Sequence, residues 1–325
     1  MKIGGIATGV GSLPGTDITD AVTETFGELP DLPYLPELPA RGPGSEMIGR
    51  SASLLVDMPV EVYAGHWRVA ARSGLDLRRA RDFLERDLDV FTERADGYSG
   101  PLKVQSAGPW TLAAGLELAL GEGFLSDHGA VRDLATSLQE GLRLHVAEVR
   151  RRVPGAEVLL QLDEPSLPAV LAGRVPTASG LHTYRSVAST TARDTLVSLV
   201  EGAGAPVIVH CCAADAPITM FREAGAAGLA LDLSTIEKLD PLGEAIDAGL
   251  MLFAGVAPTS GASAPAASTL ADRVKRLWSE LGFPIERILQ QVVLTPSCGL
   301  AGATPAYASA VLKACHEAAR QIADS

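Results

Sequence analysis

Apolar and polar positions follow two rhythms along this chain. Short, nearly continuous apolar runs lie at Ile3–Val10, Leu102–Ser106, Val158–Leu162, Pro206–Cys211, Gly228–Leu233, Leu250–Gly255 and Gln291–Thr295. Such runs suit strands buried on both faces, as in a parallel sheet. Between them lie longer stretches with helical spacing: Asp76–Asp96, Val131–Arg152, Ala188–Gly202, Pro217–Ala224, Leu239–Ala248, Leu270–Leu281 and Thr304–Ala323. The alternation predicts an α/β fold. Val60–Ala64 is a weaker apolar run that would supply an eighth strand. Eight strands with intervening helices make a (β/α)8 TIM barrel, whose typical ~250 residues leave ~75 for long βα loops. Residues 1–325 read as one such barrel, with no internal repeat or linker. An open doubly wound sheet is the competing arrangement. No GxGxxG follows the first strand to favour its dinucleotide-binding form.

Two loops stand out. Pro30–Pro43 carries five prolines in PDLPYLPELPARGP, so it reads as a stiff, extended excursion at the barrel mouth. Val256–Ser268 is small and polar and reads as a second cover over the mouth.

Charge narrows the partners. With 27 basic against 39 acidic residues the net charge is −12, and no Lys/Arg cluster breaks the acidic surface, so neither nucleic acid nor an anionic membrane is expected to bind. No apolar run reaches the ~18 residues of a membrane span. The first residues, MKIGGIATGVGSLPG, hold no apolar core of a signal peptide. Four cysteines in 325 residues are not a disulfide framework. A cytoplasmic protein with thiols free for metal or catalysis is the expectation.

Those thiols fall at strand ends. Val207-Ile208-Val209-His210-Cys211-Cys212 is an apolar strand ending in His, Cys, Cys. Side chains two apart share a face, so His210 and Cys212 aim into the barrel mouth and Cys211 into the wall. Cys298 follows Val292-Val293-Leu294-Thr295 in the same relation. One imidazole and two thiolates at the active end of a barrel suit Zn²⁺, with a carboxylate or an open position as the fourth place. Asp232, ending Gly228-Leu229-Ala230-Leu231, is the first carboxylate candidate and Glu237 the reserve. The alternative is a set of buried cysteines and one hydrogen-bonded histidine. Cys315, within a helical stretch, reads as core.

Two further strand ends carry candidate chemistry. Leu159-Leu160-Gln161-Leu162 runs into Asp163-Glu164-Pro165. Asp163 could receive a substrate ammonium through a charge-assisted hydrogen bond, or the acids could cap a helix. Gly9-Val10-Gly11-Ser12-Leu13-Pro14-Gly15 follows the first strand, and suits either an anion cradle or a tight turn.

Taken together, GSLP at Gly11–Pro14, QLDEPSL at Gln161–Leu167, HCC at His210–Cys212 and TPSCGL at Thr295–Leu300 resemble the catalytic, C-terminal half of cobalamin-independent methionine synthase, in the family's order and over nearly the whole chain. The wider superfamily includes uroporphyrinogen decarboxylase, a branch without this zinc set. The resemblance implies a (β/α)8 barrel whose zinc activates the thiol of homocysteine for methyl transfer. It implies His210, Cys212 and Cys298 as zinc ligands, Asp163 as the ammonium partner and Ser12 as a contact of the substrate carboxylate. Asp232 stands where the family places a ligating glutamate. The full-length enzymes also have an N-terminal barrel for polyglutamylated methylfolate, which this sequence lacks. They place a histidine after the seventh strand, where this chain reads Gly255-Val256-Ala257-Pro258-Thr259. Core-only members take the methyl group from a corrinoid or another carrier, so the donor is a methylcorrinoid, free or on a corrinoid protein, or a methylfolate. His66 and His182 are the candidates for a replacement proton donor. Trp110 would line a donor pocket or make a helix-start contact. Competing functions are methyl transfer between a corrinoid and another thiol, and a non-catalytic zinc- or corrinoid-binding barrel.

Overall fold

The computed structural model describes residues 3–324. The strands are β1 (Ile6–Ala7), β2 (Val60–Tyr63), β3 (His66–Val69), β4 (Gly100–Ala107), β5 (Leu116–Glu117), β6 (Ala156–Asp163), β7 (Val207–Cys211), β8 (Gly228–Asp232), β9 (Met251–Ala257) and β10 (Val292–Pro296). The helices are α1 (Ile18–Glu28), α2 (Met47–Ala52), α3 (Leu75–Arg94), α4 (Pro109–Gly115), α5 (His128–Arg152), α6 (Leu167–Leu171), α7 (Ser189–Gly202), α8 (Ile218–Glu223), α9 (Asp240–Asp247), α10 (Ala267–Glu280), α11 (Ile288–Gln291) and α12 (Pro305–Ala323).

Seven strands form one parallel sheet in the order β1-β10-β9-β8-β7-β6-β4. All seven apolar runs read as barrel strands lie in it, although the regular ladder of the first is confined to Ile6–Ala7. A TIM-barrel-like α/β fold is therefore what the chain adopts.

The eighth stave is not where the sequence placed it. Val60–Tyr63 pairs antiparallel with His66–Val69, and both belong to a separate three-stranded sheet, β2-β3-β5. The two-residue turn Ala64-Gly65 has positive φ at both positions (50° and 88°), the geometry that closes tight hairpins. The gap between β1 and β4 is instead filled by the proline-rich segment. Leu35 N–H donates to the Lys103 carbonyl (3.0 Å) and Lys103 N–H to that of Pro33 (3.0 Å). On the other side Glu37 N–H donates to the Gly11 carbonyl (3.1 Å) and Leu13 N–H to that of Glu37 (2.9 Å). Residues 32–38 are buried throughout. The expected excursion at the barrel mouth is thus, over residues 32–38, a buried second stave of the barrel.

Inside the ring, Ile3, Leu32, Leu159, Ile208, Ala230, Met251, Phe253 and Val293 pack as an apolar plug. Burying a phenylalanine such as Phe253 contributes about 1.5–3 kcal/mol. A larger apolar cluster, including Cys211 and Cys315, fills the space between the sheet and the outer helices. The plug closes one end and leaves polar side chains at the other, the C-terminal end of the strands. No helix among the described residues is long and apolar enough to cross a membrane.

Candidate metal centre in an acid-lined barrel mouth

β7 is β-branched up to its end, which favours an extended backbone and fixes the side-chain alternation. Ile208 faces the plug, so His210, two residues on, faces the mouth. His210 Nδ1 lies 3.1 Å from the Ala230 carbonyl. As donor there, Nδ1–H fixes the ring and leaves the Nε2 lone pair outward. Cys298 Sγ stands 3.9 Å from that Nε2 and 3.4 Å from Cys212 Sγ. The three ligand atoms all lie within 4.8 Å of one another. Around one zinc, sulfurs at ~2.3 Å and a nitrogen at ~2.0 Å in a tetrahedron stand about 3.5–3.8 Å apart. The donor set and its spacing therefore fit zinc. The Cys298 thiol donates to Cys212, which lowers the Cys212 pKa and pushes that of Cys298 up to about 12, burial adding to the rise. Cys211 points away into the core, where burial pushes its thiol up to about 12.

Asp232, expected as the fourth ligand, does not join this set. Its Oδ1 accepts from Ser234 N–H (2.9 Å) and Ser234 Oγ (2.7 Å). The short aspartate side chain closes its own turn at the strand end. Glu237, the reserve, is exposed and lines a cavity of about 580 Å³ on the Cys211 side of the sheet.

The two acids of Asp163-Glu164 divide their work. Glu164 is fully buried and accepts from the backbone N–H groups of Trp110 (3.0 Å) and Thr111 (2.8 Å) and from Thr111 Oγ1 (2.8 Å). It caps α4 across the βα loop. Asp163 faces inward as the register partner of His210 and Ala107. Gln161 Nε2 donates to its Oδ1 at 2.7 Å. Burial raises the Asp163 pKa, opposed by His210, Gln161 and Lys103.

Glu37, Lys103 and Gln105 of this interior were not singled out from the sequence. Glu37 sits on the proline-rich stave, buried, and accepts from Gln105 Nε2 (3.1 Å). Lys103, entirely buried, donates to the Val10 carbonyl (2.9 Å) and lies over the Tyr34 ring. A lysine and a glutamine two apart in the apolar run LKVQSA were the available clue. Ser12 meets the TPSCGL turn: Leu300 N–H donates to its carbonyl (2.8 Å), and a Cβ at Gly299 would collide with its hydroxyl.

The remaining candidates lie elsewhere. His66 is exposed at the β2–β3 hairpin, 3.9 Å from Glu117, and His182 is exposed in the bridged hairpin of 176–183. Trp110 makes a helix-start contact, its indole N–H donating to the Ala192 carbonyl (3.2 Å). The loop 256–268 is tied at its base by Arg273 Nη1 to the Val256 carbonyl (2.6 Å) and by Tyr307 OH to that of Pro258 (3.0 Å).

Burial pushes Glu37 and Glu164 up to about 7 from 4.5, against the Arg50 charge at Glu37 and the Trp110 and Thr111 donors at Glu164. Between those values the folded chain holds protons that the unfolded chain has released. Their stabilising contribution is complete below 4.5 and is lost as pH rises through about 7. Thermal midpoints measured from about pH 5 to 8 should fall for this reason, and Glu164→Gln should flatten the fall. An unchanged slope in that variant contradicts the assignment.

The family described as "Cobalamin-independent synthase, Catalytic domain" matches residues 6–321. No curated protein matches the chain. Among solved structures, a B12-independent methionine synthase from Shewanella sp. W3-18-1 in complex with selenomethionine superposes with a TM-score of 0.68 at 13% identity, over 99% of this chain and 98% of that one. A methyltransferase from Methanosarcina mazei gives 0.62 at 14% identity, over 98% and 94%. At such identities the superpositions speak for the fold, and the family match speaks for the chemistry. Since that match spans nearly all of the sequence, the chain belongs to the family of cobalamin-independent methionine synthase catalytic domains and is a methyltransferase.

Proposed function

We propose that the protein transfers a methyl group from a methylcorrinoid to the thiol of homocysteine, at a zinc ion held by His210, Cys212 and Cys298. The observation that carries this reading is the shared mouth. Three N/S donors within 4.8 Å of one another stand beside a buried carboxylate, Asp163, that is the register partner of His210. Held by these residues, zinc would supply the charge that lets a substrate thiol lose its proton at neutral pH, where a free thiol near pKa 8.5 is mostly protonated. Cys212 and Cys298 together offset the 2+ charge, so the substrate sulfur stays electron-rich. With three protein donors a metal would still have room for that sulfur, since Asp232 keeps to its own turn. Asp163, held by Gln161, receives the ammonium, and the Ser12 hydroxyl is offered to the carboxylate. The product sulfur is a neutral thioether, a poor zinc ligand, and leaves.

The donor follows from proton supply. Residues 255–259 contain no histidine, and His66 and His182 lie exposed on hairpins. Neither stands among the residues gathered at the cluster. A folate nitrogen leaves readily only when protonated, whereas a corrinoid leaves its methyl group without that proton.

The test is methyl transfer by the zinc-loaded protein with homocysteine, against methylcobalamin and methylfolate in parallel. Methylcobalamin should be the better donor, and turnover with methylfolate alone would overturn that assignment. Asp163→Asn should raise the homocysteine KM about tenfold or more through loss of a charge-assisted hydrogen bond, with zinc retained. The amine-free analogue 4-mercaptobutanoate should be unaffected. Equal losses for both thiols would give Asp163 a structural role instead.

A further inference from the structure

Beneath the mouth, two carboxylate arms converge on one anchor. The Val10 carbonyl accepts from both Lys103 Nζ and Gln161 Nε2, each at 2.9 Å. Gln161 carries the first arm, donating to Asp163 (2.7 Å). Lys103 Nζ reaches Gln105 Oε1 at 3.4 Å, and Gln105 Nε2 carries the second arm, donating to Glu37 Oε1 (3.1 Å) and the Leu35 carbonyl (2.7 Å). The register explains the convergence. Lys103 pairs with Leu159, Gln105 with Gln161, and Ala107 with Asp163, so the two glutamines lie side by side one level below the acids. Glu37 comes in from the neighbouring stave.

A lysine this deep is costly unless its charge is used. Its surroundings offer one carbonyl, one amide oxygen, an aromatic face and the fields of two carboxylates. Two buried carboxylates sharing one chamber do not both stay ionised without a nearby cation. Arg50 adds positive charge toward Glu37 from outside the stave, but it is ion-paired to Asp87 at 2.5 Å. Lys103 is the cation hydrogen-bonded into this network, through the Val10 carbonyl and Gln105.

We propose that Lys103 is the positioning residue of the ammonium subsite: through Gln105 it fastens the Glu37 arm to the same Val10 carbonyl that anchors the Gln161–Asp163 arm, and it sets a positive charge beneath both acids. This rests on the reading of the mouth as an amino-acid thiol site. Lys103 touches no reacting atom. Its effect is on homocysteine affinity, through the two acids.

The experiment is a double-variant cycle on the zinc-loaded protein, with binding of homocysteine and of 4-mercaptobutanoate read by calorimetry. Lys103→Met should weaken homocysteine binding about tenfold, because the Gln105 arm that holds Glu37 loses its tether and the two acids lose the cation beneath them. Binding of 4-mercaptobutanoate and zinc content should not change. In a Glu37→Gln background the same substitution should cost nothing or tighten binding, because Lys103 is there a surplus cation facing the arriving ammonium. Lys103→Gln, which keeps a donor for the Val10 carbonyl without the charge, should behave as the methionine variant does and stands in if that variant folds poorly. An equal loss in both backgrounds, or losses shared by both thiols, makes Lys103 a structural residue and overturns the proposal. A loss at Asp163→Asn with none at Lys103→Met overturns it while sparing the site reading. No loss at Asp163→Asn overturns the site reading itself.

Discussion

Cys212→Ser and Cys298→Ser should each strip the protein of zinc, and Cys211→Ser should not. The wild type should carry about one ion per chain, because three N/S donors with one place for a substrate sulfur make a complete catalytic site. Serine oxygen is a harder and far more basic donor than thiolate, so either replacement removes the soft ligand and half of the compensating charge. Elemental analysis of dialysed protein reads the effect directly, and methyl transfer should fall with it to background. The Cys211 control separates the metal centre from general disturbance of β7, since Cys211 is one residue away but buried on the opposite face. Wild-type zinc content in both Cys212→Ser and Cys298→Ser would remove the basis of the proposed chemistry.

The face that each cysteine takes was legible because strand alternation is rigid. Ile208 packs in the plug, and its period-2 partner His210 must then face the mouth. The seven sheet strands were legible for the same reason: a parallel strand buried on both sides has little room for polar residues. The second stave was not legible because proline normally disqualifies a central strand. Here the N–H groups used in the ladder belong to Leu35 and Glu37, not to Pro33 or Pro36. The stave therefore loses nothing by its prolines. Val60–Tyr63 misled because strand propensity names an extended segment but not its sheet. The two-residue Ala64-Gly65 turn tied it to His66–Val69 locally. Asp232 has the right residue type at the right strand end, but a serine two positions on offers the nearer hydrogen bonds. The Lys103–Glu37–Asp163 chamber depends on register between distant staves, which no local pattern encodes.

The stave that carries Glu37 is fastened by one buried ion cluster, and Asp87→Ala should release it. Asp87 lies on the inner face of α3, completely buried, and accepts both Nη1 (2.7 Å) and Nη2 (2.8 Å) of Arg41 together with Nη1 of Arg50 (2.5 Å). Arg41 follows the stave directly and Arg50 lies on α2, so a single carboxylate joins three segments. Removing it leaves two guanidinium groups without their counter-charge in a site where Arg41 Nε and Arg50 Nη2 already lack partners among the described residues. Breaking a buried ion pair from one side costs about 3–5 kcal/mol, much of it the desolvation of the charges left behind. Urea unfolding of Asp87→Ala should show a loss of that order. The triple replacement Arg41→Met, Asp87→Leu and Arg50→Met removes all three charges and keeps the volume apolar, so it should recover most of the loss. The same comparison bears on function. Arg50 lowers the pKa of Glu37, so Asp87→Ala alters the charge facing the ammonium subsite as well as the position of the stave. Homocysteine affinity in Asp87→Ala should therefore change while the zinc site, carried by β7 and the turn after β10, stays filled. A stability loss below about 1 kcal/mol would mean that solvent already reaches the cluster and that the stave is held by its backbone hydrogen bonds alone.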